Sequence, residues 1–373
     1  MRLTGARVFD PLKGFVNRDL CITDERITDD SADKAIDLSS CILIPGLTDL
    51  HFHGCRGADF SDGDAAGLQT MADYELSRGV TQICPAGMTL DEPQLLEICR
   101  NAAAHKKNSL SGAELVGVNL EGPFLSEKKK GAQNGAWLRT PDTDLLFRLK
   151  AESDGLVKLV SVAPELPGAI DFIRTVKSDI VVSVAHTACN YEEALAAFDA
   201  GARQATHLFN GMNPFAHRDP GPVGAAADSN CRVELICDGV HIHPAVVRAV
   251  FKLFGADNVI LISDTMRAAG MPDGQYTLGG QDVIVKGKYA TLMDGTLAGS
   301  VTDLMACMTT AVSFGIPLKD AVTAAAVNPA QVLGIYNEVG SLDAGKLANV
   351  AVLNPDLSLK AVLLRGKVVS GEL

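Results

Sequence analysis

The chain has 373 residues, of which 47% are hydrophobic and 21% charged, with a formal net charge of −12. This composition is typical of a globular protein with a large apolar core, and the acidic balance argues against nucleic-acid or membrane-surface binding. Because no charged leader with an apolar run opens the sequence and no apolar stretch reaches membrane-spanning length, we expect a cytoplasmic protein.

The two ends of the chain resemble each other. Residues 1–45 contain short alternating stretches separated by turn residues, as at 6–9 and 18–22, and the same texture returns at 349–353 and 361–364. Short alternating runs of this kind predict β-strands. We therefore expect a small β-sandwich domain built from residues 1–45 and 342–373, flanking a different domain at 46–341.

The middle of the chain alternates between apolar runs of strand length and amphipathic helical stretches. This alternation is typical of parallel βα units. Eight runs end on a polar or loop-forming residue: 43–53, 80–86, 115–121, 157–163, 180–186, 204–207, 233–238 and 259–264. Helices are predicted at 65–77, 94–104, 191–200, 244–254, 302–314 and 318–332. The pattern predicts a (β/α)₈ TIM-like barrel, with the Gly- and Pro-rich segment between His207 and Val233 as a long functional loop.

Two histidines, His51 and His53, end the first predicted strand. Side chains at positions i and i+2 of a strand share a face, so the two imidazoles are expected to project together. Neutral imidazole is a common ligand of divalent metals. Taken alone, a short H-x-H motif more often represents two solvated or core histidines than a metal site.

Polar residues end four further strands at positions that favour a metal site. They are Glu121, His186, His207 and Asp264 on the third, fifth, sixth and eighth strands. In such a barrel the carboxyl ends of the strands meet at one mouth, so four histidines and two carboxylates are expected to converge there. Nitrogen and oxygen ligands suit Zn²⁺, with Fe²⁺, Mn²⁺ or Co²⁺ as alternatives. Asp264 would act as a ligand or as a proton acceptor.

Several longer motifs carry a family resemblance. Pro45-Gly46 precedes the H-x-H, and the chain contains the motifs EGPF at 121–124, KGAQ at 130–133, HLFNGM at 207–212, DGVH at 238–241, SDT at 263–265 and LAGS at 297–300. Together they resemble the N-acetylglucosamine-6-phosphate deacetylases, a family of the amidohydrolase superfamily, along essentially the whole chain. The resemblance implies metal-dependent hydrolysis of the acetamide of N-acetylglucosamine 6-phosphate to glucosamine 6-phosphate and acetate, in amino-sugar catabolism.

The resemblance also implies roles for individual residues. Glu121, His186 and His207 match the principal metal ligands, and His51 and His53 match a pair that holds a second ion in some members. Asp264 matches the general acid/base, and His241 a histidine near the acyl group. The residues matching the sugar pocket are Ala132, Gln133, Asn210, Gly211, Leu297, Ala298 and Gly299.

Two further positions matter for the substrate. Arg218 matches an arginine that binds the phosphate from the neighbouring subunit, which implies a homodimer, and a guanidinium is a suitable donor for a phosphate ester. Gln133 departs from part of the family, where a histidine helps to hold the acetyl carbonyl. Glutamine can still donate a hydrogen bond there, so its contribution to catalysis is a hypothesis.

Alternative functions remain at this point. The enzyme could be an N-acetylgalactosamine-6-phosphate deacetylase or another amidohydrolase acting on a small amide, such as a ring-opening hydrolase. A non-catalytic protein of this fold would have lost some of the six ligands, and none is missing. A cysteine-based enzyme would need a Cys–His pair, but the nine cysteines are scattered and read as buried thiols of a reducing compartment. His105 is expected at the exposed end of a helix, and His243 at a helix start.

Overall fold

Eight short parallel strands form a closed barrel in the computed structural model, which describes residues 1–30 and 34–373. They are β1 (Leu47–Asp49), β2 (Val80–Ile83), β3 (Val118–Phe124), β4 (Val157–Val162), β5 (Val181–Val184), β6 (Gln204–Ala205), β7 (Arg232–Ile236) and β8 (Val259–Ile262). Neighbouring strands pair in parallel, with short segments Ala86–Gly87 and Glu114–Leu115 joining β2 to β3. The barrel closes where the amide of Asp264 donates to the carbonyl of His51 at 3.0 Å. The predicted fold class is confirmed.

Seven helices follow the first seven strands. They are α1 (Ala65–Ser77), α2 (Glu92–Asn108), α3 (Thr143–Glu152), α4 (Ala169–Val176), α5 (Tyr191–Ala200), α6 (Gly221–Asp228) and α7 (Pro244–Phe254). α1, α5 and α7 have the predicted bounds, because capping residues precede them: the side chains of Asp64, Asn190 and His243 each accept a backbone N–H of the first turn. Short 3₁₀ helices lie at Phe60–Asp62, Glu127–Lys129, Gly135–Trp137 and Ala256–Asn258.

Two predictions about helices are wrong. The segment between His207 and Val233 contains α6, because Pro222 lies in the first helical turn, where proline is tolerated, and alanines follow it. α2 continues to Asn108, four residues beyond the predicted end, so that His105 lies inside the helix and is buried rather than exposed.

The first predicted strand is divided between two sheets. Ile42–Pro45 pairs antiparallel with Val350–Leu353 in a sheet outside the barrel, and β1 begins only at Leu47. Gly46 lies at the crossing, where a Cβ would be 2.1 Å from Oγ1 of Thr81, so only glycine fits. The prediction of one strand at 43–53 is therefore wrong, because an apolar run does not reveal which sheet each half joins.

The chain ends form two sheets outside the barrel. One contains, in spatial order, Arg26–Thr28, Leu20–Thr23, Arg2–Thr4 and Ala35–Asp37; the other contains Lys367–Gly371, Leu359–Leu364, Val350–Leu353, Ile42–Pro45, Arg7–Asp10 and Gly14–Asn17. Both termini thus contribute strands to the six-stranded sheet, and a separate apolar core that includes Leu20, Leu43 and Leu363 lies beneath these strands. The domain bounds of 1–45 with 342–373 and 46–341 stay a prediction.

Additional elements follow β8. Gly274–Leu278, Gln281–Lys286 and Tyr289–Leu292 form an antiparallel sheet that was not predicted, here called the roof sheet. The small hairpin Gly54–Cys55 and Ala58–Asp59 follows β1. α8 (Leu304–Ser313) and a continuous helical segment, formed by Leu318–Val322, the π-turn Thr323–Val327 and Asn328–Val332, agree with the predictions for 302–314 and 318–332. Across the described residues, none of the helices combines the length and the apolar character needed to cross a membrane.

Candidate metal centre

The two histidines of the H-x-H motif lie just after β1 and point the same way. Nε2 of His51 is 3.5 Å from Oε1 of Glu121, and Nε2 of His53 is 3.2 Å from Oε2 of the same carboxylate. The rings meet edge to face with their centroids 5.4 Å apart. The predicted shared face is therefore found, and both side chains are buried against β3.

Glu121 on β3 also faces two histidines from the other side of the barrel. Its Oε1 is 3.0 Å from Nε2 of His186 and 2.8 Å from Nε2 of His207. The carboxylate is thus shared by two groups, His51–His53–Glu121 and Glu121–His186–His207, within each of which the ligand atoms lie within 4.8 Å of one another. A shared carboxylate between two sets of imidazoles is an arrangement that can hold one or two ions.

Three residues of the centre have left-handed backbone conformations. The φ angles are 41° at His186, 26° at His207 and 49° at Asp264. Such conformations cost about 1–3 kcal/mol each for residues other than glycine. They occur where β5, β6 and β8 end and the chain turns, so the fold maintains local strain to direct these side chains into the mouth.

The outer nitrogens of the histidines show that the centre suits a cation. Nδ1 of His51 is 2.9 Å from a carboxylate oxygen of Glu234. Nδ1 of His53 is 3.0 Å from the carbonyl oxygen of Ala86, and Nδ1 of His186 is 2.9 Å from the carbonyl oxygen of Lys129. Because these oxygens only accept hydrogen bonds, each Nδ1 carries the proton and each Nε2 directs a lone pair inwards.

The inner nitrogens then need a positive partner. Nε2 of His186 and Nε2 of His207 are only 3.1 Å apart, and Nε2 of His51 is buried without a hydrogen-bond partner among the described residues. If both of these nitrogens present lone pairs, they repel at this separation unless a cation lies between them, and imidazole with carboxylate is a donor set that divalent transition metals prefer. The residues present therefore fit a divalent metal ion.

The carboxylates create a strongly negative site. Burial lowers the pKa of His53, but its contacts with Asp264 and Glu121 outweigh burial and raise that pKa to about 10. Burial raises the pKa of Glu121, yet His51 and His186 hold it well below its usual value. The same field that favours imidazolium favours a metal ion, so protons and metal compete for these nitrogens.

Asp264 lies at the end of β8, between the centre and the cavity above it. Its Oδ1 is 3.3 Å from Nε2 of His53 and 3.8 Å from Nε2 of His51. Burial raises the pKa of Asp264, but the hydrogen bond to His53 and the neighbouring imidazoles lower it below its ordinary value. The group is consequently ionised at neutral pH, and it can serve as a ligand or as a proton acceptor.

His241 forms a pair with Asp238 in the loop after β7. Nδ1 of His241 donates to Oδ2 of Asp238 at 2.8 Å, while Oδ1 of Asp238 accepts the backbone N–H groups of Val240 and His241 at 2.9 Å each. Burial lowers the pKa of His241, but Asp238 raises it above its ordinary value. One hydrogen bond from the imidazole and two from the backbone thus join His241 and its loop to the carboxylate of Asp238, and the imidazole lies beside the cavity.

A cavity of about 250 Å³ opens above the metal-binding groups. Most of the residues predicted to contact substrate line it: Ala132, Gln133, Asn210, Gly211, His241, Leu297, Ala298 and Gly299. Arg218 does not line this cavity, because it lies on the exposed loop before α6. Phe215 of the same loop is 52% exposed.

The side chain of Gln133 is engaged within the protein. Its Nε2 donates to Oε2 of Glu121 at 2.6 Å, and its Oε1 accepts the backbone N–H of Thr89 at 2.7 Å. The backbone of Thr89 thus holds one end of the amide while the other end contacts the shared carboxylate. In this arrangement Gln133 orients Glu121 and also lines the cavity.

One buried acid of the centre was not predicted. Glu234 lies in the middle of β7 and contacts His51, as described above, although it is entirely buried. The signal available in the sequence was a charged residue between two apolar neighbours, Val233 and Leu235. Isolated buried charges are costly unless paired, so such a residue indicates a buried partner.

Comparisons with known proteins agree with this geometry. The amidohydrolase family model matches residues 42–369. N-acetylglucosamine-6-phosphate deacetylase of Bacillus subtilis (strain 168) is 37% identical, covering 88% of this chain and 84% of its own. N-acetylgalactosamine-6-phosphate deacetylase of Escherichia coli O157:H7 is 34% identical, covering 88% of each. A mutant N-acetyl-D-glucosamine-6-phosphate deacetylase from Mycobacterium smegmatis, solved in complex with N-acetyl-D-glucosamine 6-phosphate, superposes with a TM-score of 0.92 at 33% identity over 99% of both chains.

Proposed function

This chain belongs to the amidohydrolase family, and we propose that it hydrolyses the acetamide of N-acetylglucosamine 6-phosphate to glucosamine 6-phosphate and acetate, in amino-sugar metabolism. The observation that carries this function is the convergence of two imidazole–carboxylate groups, Asp264 and His241 around one cavity. The relatives with this fold, at up to 37% identity, support the same reaction.

The proposed cofactor is zinc, in one or two ions per chain, with iron, manganese or cobalt as alternatives. Glu121, His186 and His207 would hold the first ion, and His51 and His53 with Glu121 the second. When bound, a divalent ion polarises the acyl carbonyl and lowers the pKa of the attacking water. Replacing both His51 and His53 by alanine should halve the metal content, as measured by elemental analysis, if the second ion is present.

The proton transfers are assigned to this chain's own carboxylate. Asp264 is ionised and borders both the cavity and the imidazoles, so it accepts the proton of the attacking water and then donates it to the departing amine. His241, whose raised pKa favours the protonated form, donates a hydrogen bond to the acyl group. Its pair with Asp238 holds the ring in place during this step.

The sugar and its phosphate are bound at the rim of the cavity. Asn210, Gly211 and the loop 297–299 would contact the sugar. Arg218 would bind the phosphate of a substrate held by the neighbouring subunit of a homodimer, since it is exposed and lies outside the lining of its own chain's cavity. The nine free cysteines support the further proposal that the enzyme works in a reducing, cytoplasmic compartment.

The proposed function is tested by measuring acetate release. The purified protein should release acetate from N-acetylglucosamine 6-phosphate, lose activity after treatment with a chelator and regain it when zinc is added back. The same assay with N-acetylgalactosamine 6-phosphate compares the two epimers. No acetate from either sugar, with the metal bound, would reject the proposal, and a higher kcat/KM for the galacto epimer would replace it with the alternative.

A further inference from the structure

Glu234 is a fully buried carboxylate in the middle of β7. Its Oε2 accepts from Nδ1 of His51 at 2.9 Å and from the backbone N–H of His207 at 3.2 Å. Its Oε1 accepts from Nε2 of Gln204 at 2.5 Å. Three N–H donors from three different strand regions thus offset the cost of burying this charge.

These contacts connect Glu234 to one ligand of each metal-binding group. The hydrogen bond to His51 keeps the proton on Nδ1, so that Nε2 offers its lone pair to the centre. The hydrogen bond to the amide of His207 is made at a residue with φ of 26°, where the backbone is strained. Glu234 itself lies behind the imidazoles and does not line the cavity.

We propose that Glu234 is a positioning residue that determines how tightly the His51–His53–Glu121 group binds its ion. The inference rests on the proposed two-ion centre. It follows from the kind of acceptor that three of the four histidines have: His53 and His186 donate to backbone carbonyls, whereas His51 donates to a carboxylate. A charged acceptor makes the stronger hydrogen bond and increases the basicity of the opposite nitrogen. It is also the only one of these three acceptors that a substitution can remove.

The primary test is Glu234→Gln, which conserves side-chain volume within β7. The amide oxygen can take the place of Oε2 and accept from Nδ1 of His51 and from the backbone N–H of His207, but a neutral acceptor makes a weaker hydrogen bond, so that Nε2 of His51 becomes less basic and a poorer ligand. We expect about 10–100-fold weaker binding of the second ion and unchanged binding of the first. Calorimetric titration of zinc into the chelator-treated protein gives both affinities, and anomalous X-ray scattering at the zinc edge gives the occupancy of each position.

Glu75→Gln is the matched control. Glu75 on α1 is another fully buried carboxylate, and both of its oxygens lack a hydrogen-bond partner among the described residues. The same chemical change there should leave both zinc affinities unchanged. Should Glu234→Gln not fold, Gln204→Met reaches the same carboxylate from the side away from His51, and we expect it to weaken only the second ion, by a smaller factor.

The outcomes separate this inference from the proposed function. Equal zinc affinities in Glu234→Gln and the wild type would overturn the inference, and so would an equal loss of both ions, which would indicate a merely structural role. A wild-type protein that releases acetate with a single ion would also overturn it while the proposed function stands. A wild-type protein with two ions and no acetate release would reject the function, and a selective loss of the second ion would still support the role of Glu234.

Discussion

The residue that separates a metal-binding site from a hydrolytic one is Asp264. Each of the two groups that can hold an ion is complete without it, and yet its carboxylate borders both His53 and the cavity. Catalytic metal sites commonly use three protein ligands and keep an open position. In the proposed mechanism Asp264 would therefore be free to transfer protons, which is the role that amide hydrolysis requires.

Asp264→Asn should lower kcat by about 10²–10⁴-fold, the usual contribution of a general acid/base. Asparagine conserves size but cannot accept a proton, so metal content should remain that of the wild type. Steady-state acetate release gives kcat, and elemental analysis of the same preparations gives the metal content. Loss of an ion together with activity would instead identify Asp264 as a ligand, and near-wild-type turnover would remove it from the mechanism.

The pair Asp238–His241 makes a prediction about pH. Asp238 raises the pKa of His241 above its ordinary value of 6.5. His241 is therefore protonated at pH values below 6.5, and it loses its proton only as the pH rises through the raised pKa. In Asp238→Asn the carboxylate is gone, and burial, opposed only by the charge of Asp264, lowers the pKa of the imidazole. The alkaline limb of the kcat/KM profile should therefore move to lower pH. An unmoved limb would show that another group sets it.

At the scale of elements, the roof sheet controls the shape of the cavity. Nε2 of Gln281 donates to the carbonyl of Ala132 at 2.7 Å, and Leu278 packs with Met88, Met266 and Ala298. The sheet thus fastens the loop that carries Ala132 and Gln133 against the mouth of the barrel. Its contribution should lie in substrate binding rather than in chemistry.

Gln281→Ala tests this role of the roof sheet. Loss of one hydrogen bond worth about 1 kcal/mol should raise KM roughly fivefold with kcat nearly unchanged, because Ala132 belongs to the rim and not to the metal centre. The neighbouring exposed residue gives the control, since Asp282→Ala removes a side chain without touching Ala132 and should leave KM unaltered. A fall in kcat without a change in KM would contradict the assignment.

Gly46 makes a prediction about the junction between the two sheets. A Cβ at this position would lie 2.1 Å from Oγ1 of Thr81, so Gly46→Ala should destabilise the protein by about 1–3 kcal/mol through overpacking. Urea unfolding followed by circular dichroism measures the loss. Combining it with Thr81→Ala should recover part of the stability, because the two residues are in contact. Additive effects would show that the clash lies elsewhere.

The helices and strands of the βα repeat could be predicted from the sequence better than the contacts between distant segments. The βα alternation and the bounds of α1, α5 and α7 follow from local signals, and the structure has them where expected. The division at Gly46, the roof sheet and Glu234 depend on which distant segments meet. Neither an apolar run at 43–53 nor a buried acid in β7 specifies which distant segment it contacts in the folded protein. The polar residues that end the predicted strands do meet at the metal centre, because a barrel brings the carboxyl ends of all its strands to one mouth.

At the scale of the whole molecule, the cavity of one chain lacks a donor for the substrate's phosphate if Arg218 is its ligand. The loop before α6 exposes both Arg218 and Phe215, and an exposed aromatic side chain beside a cation is typical of a surface that contacts a partner. A homodimer in which each loop reaches the other cavity would complete both sites at once. The proposed enzyme would then have no fully active monomer.

Subunit mixing tests the shared site directly. Arg218→Ala and Asp264→Asn should each have low activity alone, the first through a raised KM and the second through a lowered kcat. In a mixed dimer one cavity has intact Asp264 from the first chain and intact Arg218 from the second, so activity should return after the variants are unfolded and refolded together. Light scattering establishes the dimer independently. Without such recovery in a proven dimer, Arg218 would serve its own chain or none, because a site that is complete within one chain gains nothing from its partner.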